Sequence, residues 1–403
     1  MEVKMTIATF NSLFISKTAQ SVCPNKATKF RYIIMHPKSV ALPINDRENN
    51  LTTRTLNDKV NISFADLTRT EATQIQTFLD THGGSIKLNA IHKVRDPLSD
   101  TTTVEAVQAT SSSAYPSAPL TCPKTTISND FVMFFPDTMV NVKNFKGDNL
   151  HIGNNYSGSN KPCNPHSDYT YSIFQQVLGD KNLKSTNIPV FSCGGAGTTQ
   201  AFISAFLDII DFAKQNPTIK VAVYFAVSGG LLQDSAYTAV IQEVVNAGIL
   251  LAVSAGNNGK NLCNANIPPW NVPGVLQIGG TNAPGNCCPY FTNWSDVYPQ
   301  SQFGDCVTAY LPSVFKIKQF NVNEQGTSFA VPQALAIILK WWNQNPTATA
   351  AQVIKAFTNF VATIPAQETK PYPPMTPTKD IRVVATADYC NMHVSNTSTI
   401  KPN

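Results

Sequence analysis

Charge is scarce in this sequence. Only 14% of the residues are Asp, Glu, Lys or Arg, and the net charge is +5 over 403 residues. No stretch concentrates Lys and Arg, so the basic patch needed for nucleic-acid binding is missing. No run of ~18 consecutive apolar residues occurs, so nothing reads as a membrane-spanning helix. The nine cysteines include no CxxC pair, which argues against a zinc ribbon or a thioredoxin-type site. Histidine is also sparse, at six, so there are few candidates for a general base.

What is present reads as a globular chain. Hydrophobic residues make up 42%, and the length suits two or three domains. The odd cysteine count predicts at least one thiol without an intramolecular partner. Residues 1–27 form a leader. Its mildly apolar stretch is interrupted by Thr9, Asn11 and Ser12, a poor core for a signal segment. Five N-x-Ser/Thr sequons, beginning at Asn50, Asn61, Asn155, Asn293 and Asn396, give weak support for secretion.

Residues 28–96 read as a small α+β unit. Strands are predicted at 30–35, 60–64 and 86–94. Between the last two, residues 70–81 form a helix capped by Thr70, with Ile75, Phe78 and Leu79 on one face. Residues 97–128 are rich in Thr, Ser, Ala and Pro and lack a period, as an exposed linker does. Residues 129–364 change texture. Apolar strands at 131–135, 188–191, 220–227, 249–253 and 275–279 alternate with helices at 199–215 and 235–247. That alternation predicts an α/β unit, a mostly parallel sheet with helices on both faces. A Pro- and Thr-rich extension, 365–403, follows.

In parallel sheets, function collects at the carboxyl ends of the strands. Asp137 lies just past the 131–135 strand, where a carboxylate can orient a histidine. His166 opens a helix, and Asp168 beside it is a second carboxylate able to compete for the imidazole. Asn257 follows a buried strand in Ser254-Ala255-Gly256-Asn257; its amide N–H₂ can donate to an oxyanion. Ser328 lies in Gly326-Thr327-Ser328-Phe329-Ala330-Val331-Pro332, just ahead of an apolar helix that runs from 329 to 342. Backbone N–H groups and the helix dipole there favour a developing anion.

The motifs Gly326-Thr327-Ser328-x-Ala330-x-Pro332, Ala255-Gly256-Asn257 and Ser228-Gly229-Gly230, with the order Asp137, His166, Ser328, resemble the subtilisin family of serine proteases over about residues 130–360. The resemblance implies a subtilisin-like fold preceded by a ferredoxin-like prodomain at 28–96 that inhibits the enzyme. It implies self-cleavage within 97–128. It makes Ser328 the nucleophile, His166 the general base, Asp137 its orienting acid and Asn257 an oxyanion donor. Ser228, Gly229, Gly230, Ser254, Ala255 and Gly256 would wall the pocket for the residue before the scissile bond, with 194–197 as a further backbone edge. The expected activity is serine endopeptidase, made as a zymogen, monomeric, acting on polypeptides, and secreted or in an endomembrane or vacuolar lumen. The alternative is a catalytically inactive relative that binds peptides or a protein partner. No cofactor is required for that chemistry; family members often bind structural calcium, but no carboxylate-dense loop here assigns a site. Two positions depart from the family pattern. Met139 stands where a glycine usually follows the aspartate, and Ser167 stands where a glycine follows the histidine.

Overall fold

The computed structural model describes residues 28–93, 125–226, 234–259, 261–264, 269, 271–281 and 301–363. The leader, nearly all of the linker, the C-terminal extension and Ser228, Gly229 and Gly230 lie outside the described residues.

The chain opens with strands β1 (Phe30–Pro37), β2 (Thr52–Thr55) and β3 (Val60–Leu67), helix α1 (Arg69–His82) and strand β4 (Ser85–Leu88). The four strands form an antiparallel sheet in the order β2-β3-β1-β4. Its side chains alternate. Ile34, Ala65 and Leu67 pack with Ile75 and Leu79 of α1, whereas Ile33, Ile62 and Phe64 face the rest of the molecule. The cap of α1 is Thr68, two residues earlier than expected. Thr68 Oγ1 accepts from the Glu71 N–H, and the Glu71 carboxylate accepts from the Thr68 N–H. This reciprocal capping box satisfies two backbone donors, where Thr70 as cap would leave Glu71 without that role.

The strand expected over 86–94 is two strands. β4 pairs with β1, and β5 (Ile91–Lys93) leaves the sheet and pairs elsewhere. The break at Asn89 and Ala90 has a cause. Asn89 N–H still donates to Arg31 O, but Asn89 Oδ1 and Ala90 O accept from Gln200 and Thr199 N–H, at the start of a helix in the second unit.

That second unit comprises β6 (Phe131–Thr138), β7 (Leu150–Ile152), α2 (His166–Leu178), β8 (Lys184–Phe191), β9 (Ala196–Thr198), α3 (Thr199–Gln215), β10 (Lys220–Phe225), α4 (Ser235–Asn246), β11 (Leu250–Ser254), β12 (Leu276–Thr281), β13 (Ala309–Pro312), the hairpin β14 (Val314–Ile317) and β15 (Val322–Gln325), α5 (Val331–Gln344) and α6 (Ala350–Thr363). Seven strands form one parallel sheet, in the order β13-β12-β11-β10-β6-β8-β7. Alternate residues of its central strands enter opposite cores. Val132, Phe134, Val221 and Val223 pack with α3 and α4; Phe131, Met133, Phe135 and Tyr224 pack with α2, α5 and α6. Burial on both faces explains why these strands read as unbroken apolar runs. The chain is therefore α/β, a parallel sheet covered on both sides and preceded by a small α+β unit.

Candidate active site

Asp137 is the penultimate residue of β6 and is fully buried. The β6–β8 register shifts between Asp137 and Thr138, so the strand leaves the ladder at this carboxylate. Asn187 on β8 holds the departing chain. Its Nδ2 donates to Phe135 O and Thr138 O, both at 3.0 Å, and its Oδ1 accepts from Val140 N–H at 3.0 Å.

His166 is the first residue of α2, and Asn164 Oδ1 accepts from its N–H at 3.0 Å. The imidazole Nδ1 lies 2.8 and 2.9 Å from the two Asp137 oxygens. A carboxylate can only accept, so Nδ1 carries the proton in this contact and Nε2 is left as the basic nitrogen of the neutral ring. Thr170, one turn along α2, donates to Asp137 Oδ2 at 3.3 Å, and Thr138 N–H donates to Oδ1 at 2.6 Å. A second latch joins the two elements. Thr138 Oγ1 accepts from Ser167 N–H at 3.0 Å and donates to Asn164 O at 3.1 Å.

Asp168 does not compete for the imidazole. One of its oxygens accepts from Asn141 N–H at 2.7 Å and the other from Asn144 Nδ2 at 2.8 Å. It ties the 141–144 segment to the first turn of α2. Burial, partly offset by those hydrogen bonds, pushes its carboxyl up to about 6.

Ser328 occupies a one-turn 3-10 segment, Thr327–Phe329, ahead of α5. The regular helix starts at Val331, with Pro332 tolerated in its first turn. The apolar run that starts at Phe329 thus enters the helix two residues late, and the serine sits at the junction. Gly326 has φ of 145°, a conformation that side chains rarely adopt; an added Cβ there would lie 3.4 Å from Asn257 Nδ2. Tyr224 O–H donates to Ser328 O at 3.3 Å from beneath. The Phe329 ring lies 5.7 Å from the His166 ring, so the serine turn and the histidine share one corner of the molecule.

Asn257 follows β11 and is buried. Its Oδ1 accepts from both the N–H and the O–H of Thr327, at 3.0 and 2.9 Å. With the oxygen so engaged, the N–H₂ is the end of the amide that can donate to a ligand. Thr327 Oγ1 also accepts from Gly256 N–H at 3.3 Å. Ser254 and Ala255 are buried in the same segment. Ala255 N–H donates to Ile278 O, and Gly256 O accepts from Gln302 N–H.

Two disulfides brace the neighbourhood. Cys163–Cys193 joins the segment before His166 to the one before β9, and Cys263–Cys306 joins the segment after Asn257 to that after Gln302. β9 pairs with this chain's own β5, with Ile91, His92 and Lys93 antiparallel to Thr198, Gly197 and Ala196. Among the described residues no group of three His, Cys, Asp or Glu side chains could hold a metal ion, and no helix is long and apolar enough to cross a membrane.

The sequence reading missed Asn187, Asn164, Thr170 and Thr327 as positioning groups. Only Thr327 carried a signal, by lying inside the serine motif.

No family model matches the chain. It is 26% identical over 210 residues to an extracellular serine proteinase of Thermus sp. (strain Rt41A), covering 49% of this chain and 46% of that one. It is 27% identical over 210 residues to a subtilisin-like protease of Coccidioides posadasii (strain C735), covering 50% and 49%. The chain thus spans about half the length of these relatives. A crystal structure of a cold-adapted subtilisin-like serine proteinase aligns with 66% of this chain and 92% of that one, at 22% identity and a TM-score of 0.49. Over about half of its length, the chain is similar in sequence to subtilisin-like serine proteases.

Proposed function

We propose that the chain is a serine endopeptidase made as a self-processing zymogen. The observation that carries the reading is the buried contact of His166 Nδ1 with both Asp137 oxygens, at the corner where the Ser328 turn meets its ring neighbour Phe329. In this mechanism Nε2 of His166 takes the proton from Ser328 Oγ as that oxygen attacks the scissile carbonyl. The ring becomes an imidazolium, which the buried Asp137 stabilises without taking the proton. Negative charge develops on the carbonyl oxygen, and the Asn257 N–H₂, its amide turned by Thr327, donates to it with the Ser328 backbone N–H. The imidazolium then protonates the leaving amine. A water activated by the same Nε2 releases the acyl group.

Residues 28–96 act as the inhibitory unit in this reading. β5 lies along β9 as an extended peptide would, so main-chain hydrogen bonds at that edge are already used. Cleavage within 97–128 frees the unit to leave. Polypeptides are the substrates, Ser228, Gly229, Gly230, Ser254, Ala255 and Gly256 border the pocket, and the mature enzyme is a secreted monomer.

A fluorophosphonate probe on the processed protein tests this. The wild type is expected to label and Ser328→Ala is not. N-terminal sequencing is expected to find the wild type cut within 97–128 and Ser328→Ala intact. No labelling under conditions that label an ordinary subtilisin would overturn the proposal and leave a peptide-binding protein.

A further inference from the structure

Three groups on α3 face the N-terminal unit: Ser204 O, Asp208 and Asp211, spaced so that they lie on one side of the helix. Arg54 of β2 fills the site they make. Its Nη1 donates to Ser204 O at 3.1 Å and to Asp208 Oδ1 at 2.8 Å, and its Nη2 donates to Asp211 Oδ2 at 2.8 Å. The geometry is that of a fork, with two guanidinium nitrogens shared among two carboxylates and a carbonyl, where an ammonium would offer a single nitrogen.

The second unit builds its half of this site from its own residues. Asp208 Oδ2 accepts from Asn154 Nδ2 at 2.8 Å and from Tyr156 O–H. Those bonds turn Oδ1 toward Arg54. Burial, then the neighbouring Asp208, push Tyr156 up to about 12, so its hydroxyl remains a donor throughout the working range. Around this fork the contacts between the units are weaker in kind. Lys214 Nζ reaches Leu56 O at 3.3 Å, Arg31 Nε donates to the neutral Gln200 Oε1 at 3.1 Å, and Ser85 and Ser235 share a hydroxyl contact at 2.6 Å. Asn89, Ala90 and β5 bond the start of α3 and β9, and Ile33, Leu56, Ile62 and Phe64 add apolar packing against α3 and α4.

We propose that Asp208 and Asp211, set by Asn154 and Tyr156, form a guanidinium-recognition site outside the active site that selects and retains the N-terminal unit through Arg54. The apolar surface supplies attraction, and the fork supplies orientation and choice of partner. The inference rests on the inhibitory reading only for its consequence: the longer Arg54 holds, the longer β5 stays on β9 after the chain is cut.

The test uses the full chain carrying Ser328→Ala, with a recognition sequence for an added protease placed within 97–124. After that cut, retention of the N-terminal fragment is measured by native mass spectrometry and size exclusion at low and high salt. The fragment is expected to stay bound. Arg54→Ala is expected to weaken retention by on the order of 30-fold, and Arg54→Lys by roughly fivefold or more. Asp208→Asn should cost about as much as Arg54→Ala, and the double variant little more than either. The exposed Lys38→Ala serves as a control without effect. Retention of Arg54→Ala within threefold of the parent, or of Arg54→Lys at the parent's level, would overturn the proposal, as would a double variant whose losses add. Because the added protease makes the cut, loss of the fork effect is distinct from failure of the enzyme assignment, which the probe on the wild type reads.

Discussion

Replacing Thr327 with Val separates the orientation of Asn257 from its presence. Thr327 is fully buried, and its hydroxyl donates to Asn257 Oδ1 while accepting from Gly256 N–H. Valine keeps the shape and removes both bonds. Asn257 then keeps only the Thr327 N–H as the anchor that residue 327 provides, and the Gly256 N–H loses its Thr327 acceptor. An unsatisfied buried donor costs about 1–3 kcal/mol, and the lost bond to Asn257 about 1 kcal/mol. At a net loss of about 2 kcal/mol, the melting temperature should fall by roughly 4–8 °C for a unit of this size, measured in the Ser328→Ala background so that self-digestion does not interfere. Catalysis should suffer separately. An amide that turns freely for part of the time stabilises the oxyanion less, and about 1–2 kcal/mol of transition-state energy is about a 5- to 30-fold fall in kcat. KM should change little, because the group acts on charge that develops during the reaction. Thr327→Ser restores the hydroxyl and should recover most of kcat. Steady-state hydrolysis of a chromogenic peptide at a temperature well below both melting points reads this. A Thr327→Val enzyme with lower stability and unchanged kcat would refute the link from Thr327 to the oxyanion.

Asp137→Asn should lower kcat by roughly 10⁴-fold with little loss of fold, because the amide no longer selects the Nδ1-protonated ring; activity within tenfold of the wild type would remove Asp137 from the mechanism. Tyr224→Phe deletes the donor to Ser328 O and should reduce kcat up to roughly tenfold, with KM unchanged, for a bond of about 1 kcal/mol; an unchanged kcat would make it a packing residue only. Asp168 gives a pH signature. Its folded carboxyl is raised by burial to about 6 from an ordinary value of 3.8, so its contribution is most favourable below pH 3.8 and is lost as pH rises through 6. Urea unfolding of Asp168→Asn against the parent should show the variant gaining relative stability between pH 4 and pH 7, and a difference independent of pH would show that the site does not titrate there. His36 gives the opposite limb. Burial, only partly offset by backbone hydrogen bonds, lowers its pKa from 6.5, so the N-terminal sheet should lose stability as pH falls below about 6.5, and His36→Gln should flatten that dependence in a urea titration.

The parallel sheet was legible because strands buried on both faces must be apolar at every position, and 131–135 and 221–225 are. Ser328 and Asn257 were legible as candidates because what marks them is local: a glycine ahead of the serine, a turn, a helix start. The supports of the site were not, because each is a side chain meeting distant backbone. Asn187 reads as one more polar residue in a strand, yet it engages Phe135 O, Thr138 O and Val140 N–H from 47 to 52 residues away. The disulfide partners were equally hidden, since spacing does not select Cys193 for Cys163. The 86–94 strand was misread for a related reason: a period-two pattern does not say which sheet a strand joins, and β5 joins the other unit.

The two departures from the family pattern are where local reading and tertiary structure diverge most. A missing glycine matters only if its replacement's side chain occupies space the site needs. Met139 is buried, and the chain on either side of it is held by Asn187, through Thr138 O and Val140 N–H. Ser167 is buried too, and its N–H donates to the hydroxyl of Thr138. The residue after each candidate catalytic group therefore joins a latch: Thr138 bonds the start of α2, and Ser167 bonds the end of β6. Thr138→Ala would remove the hydroxyl that accepts from Ser167 N–H and donates to Asn164 O, and with it this latch. In this chain those hydrogen bonds join the two elements that carry Asp137 and His166.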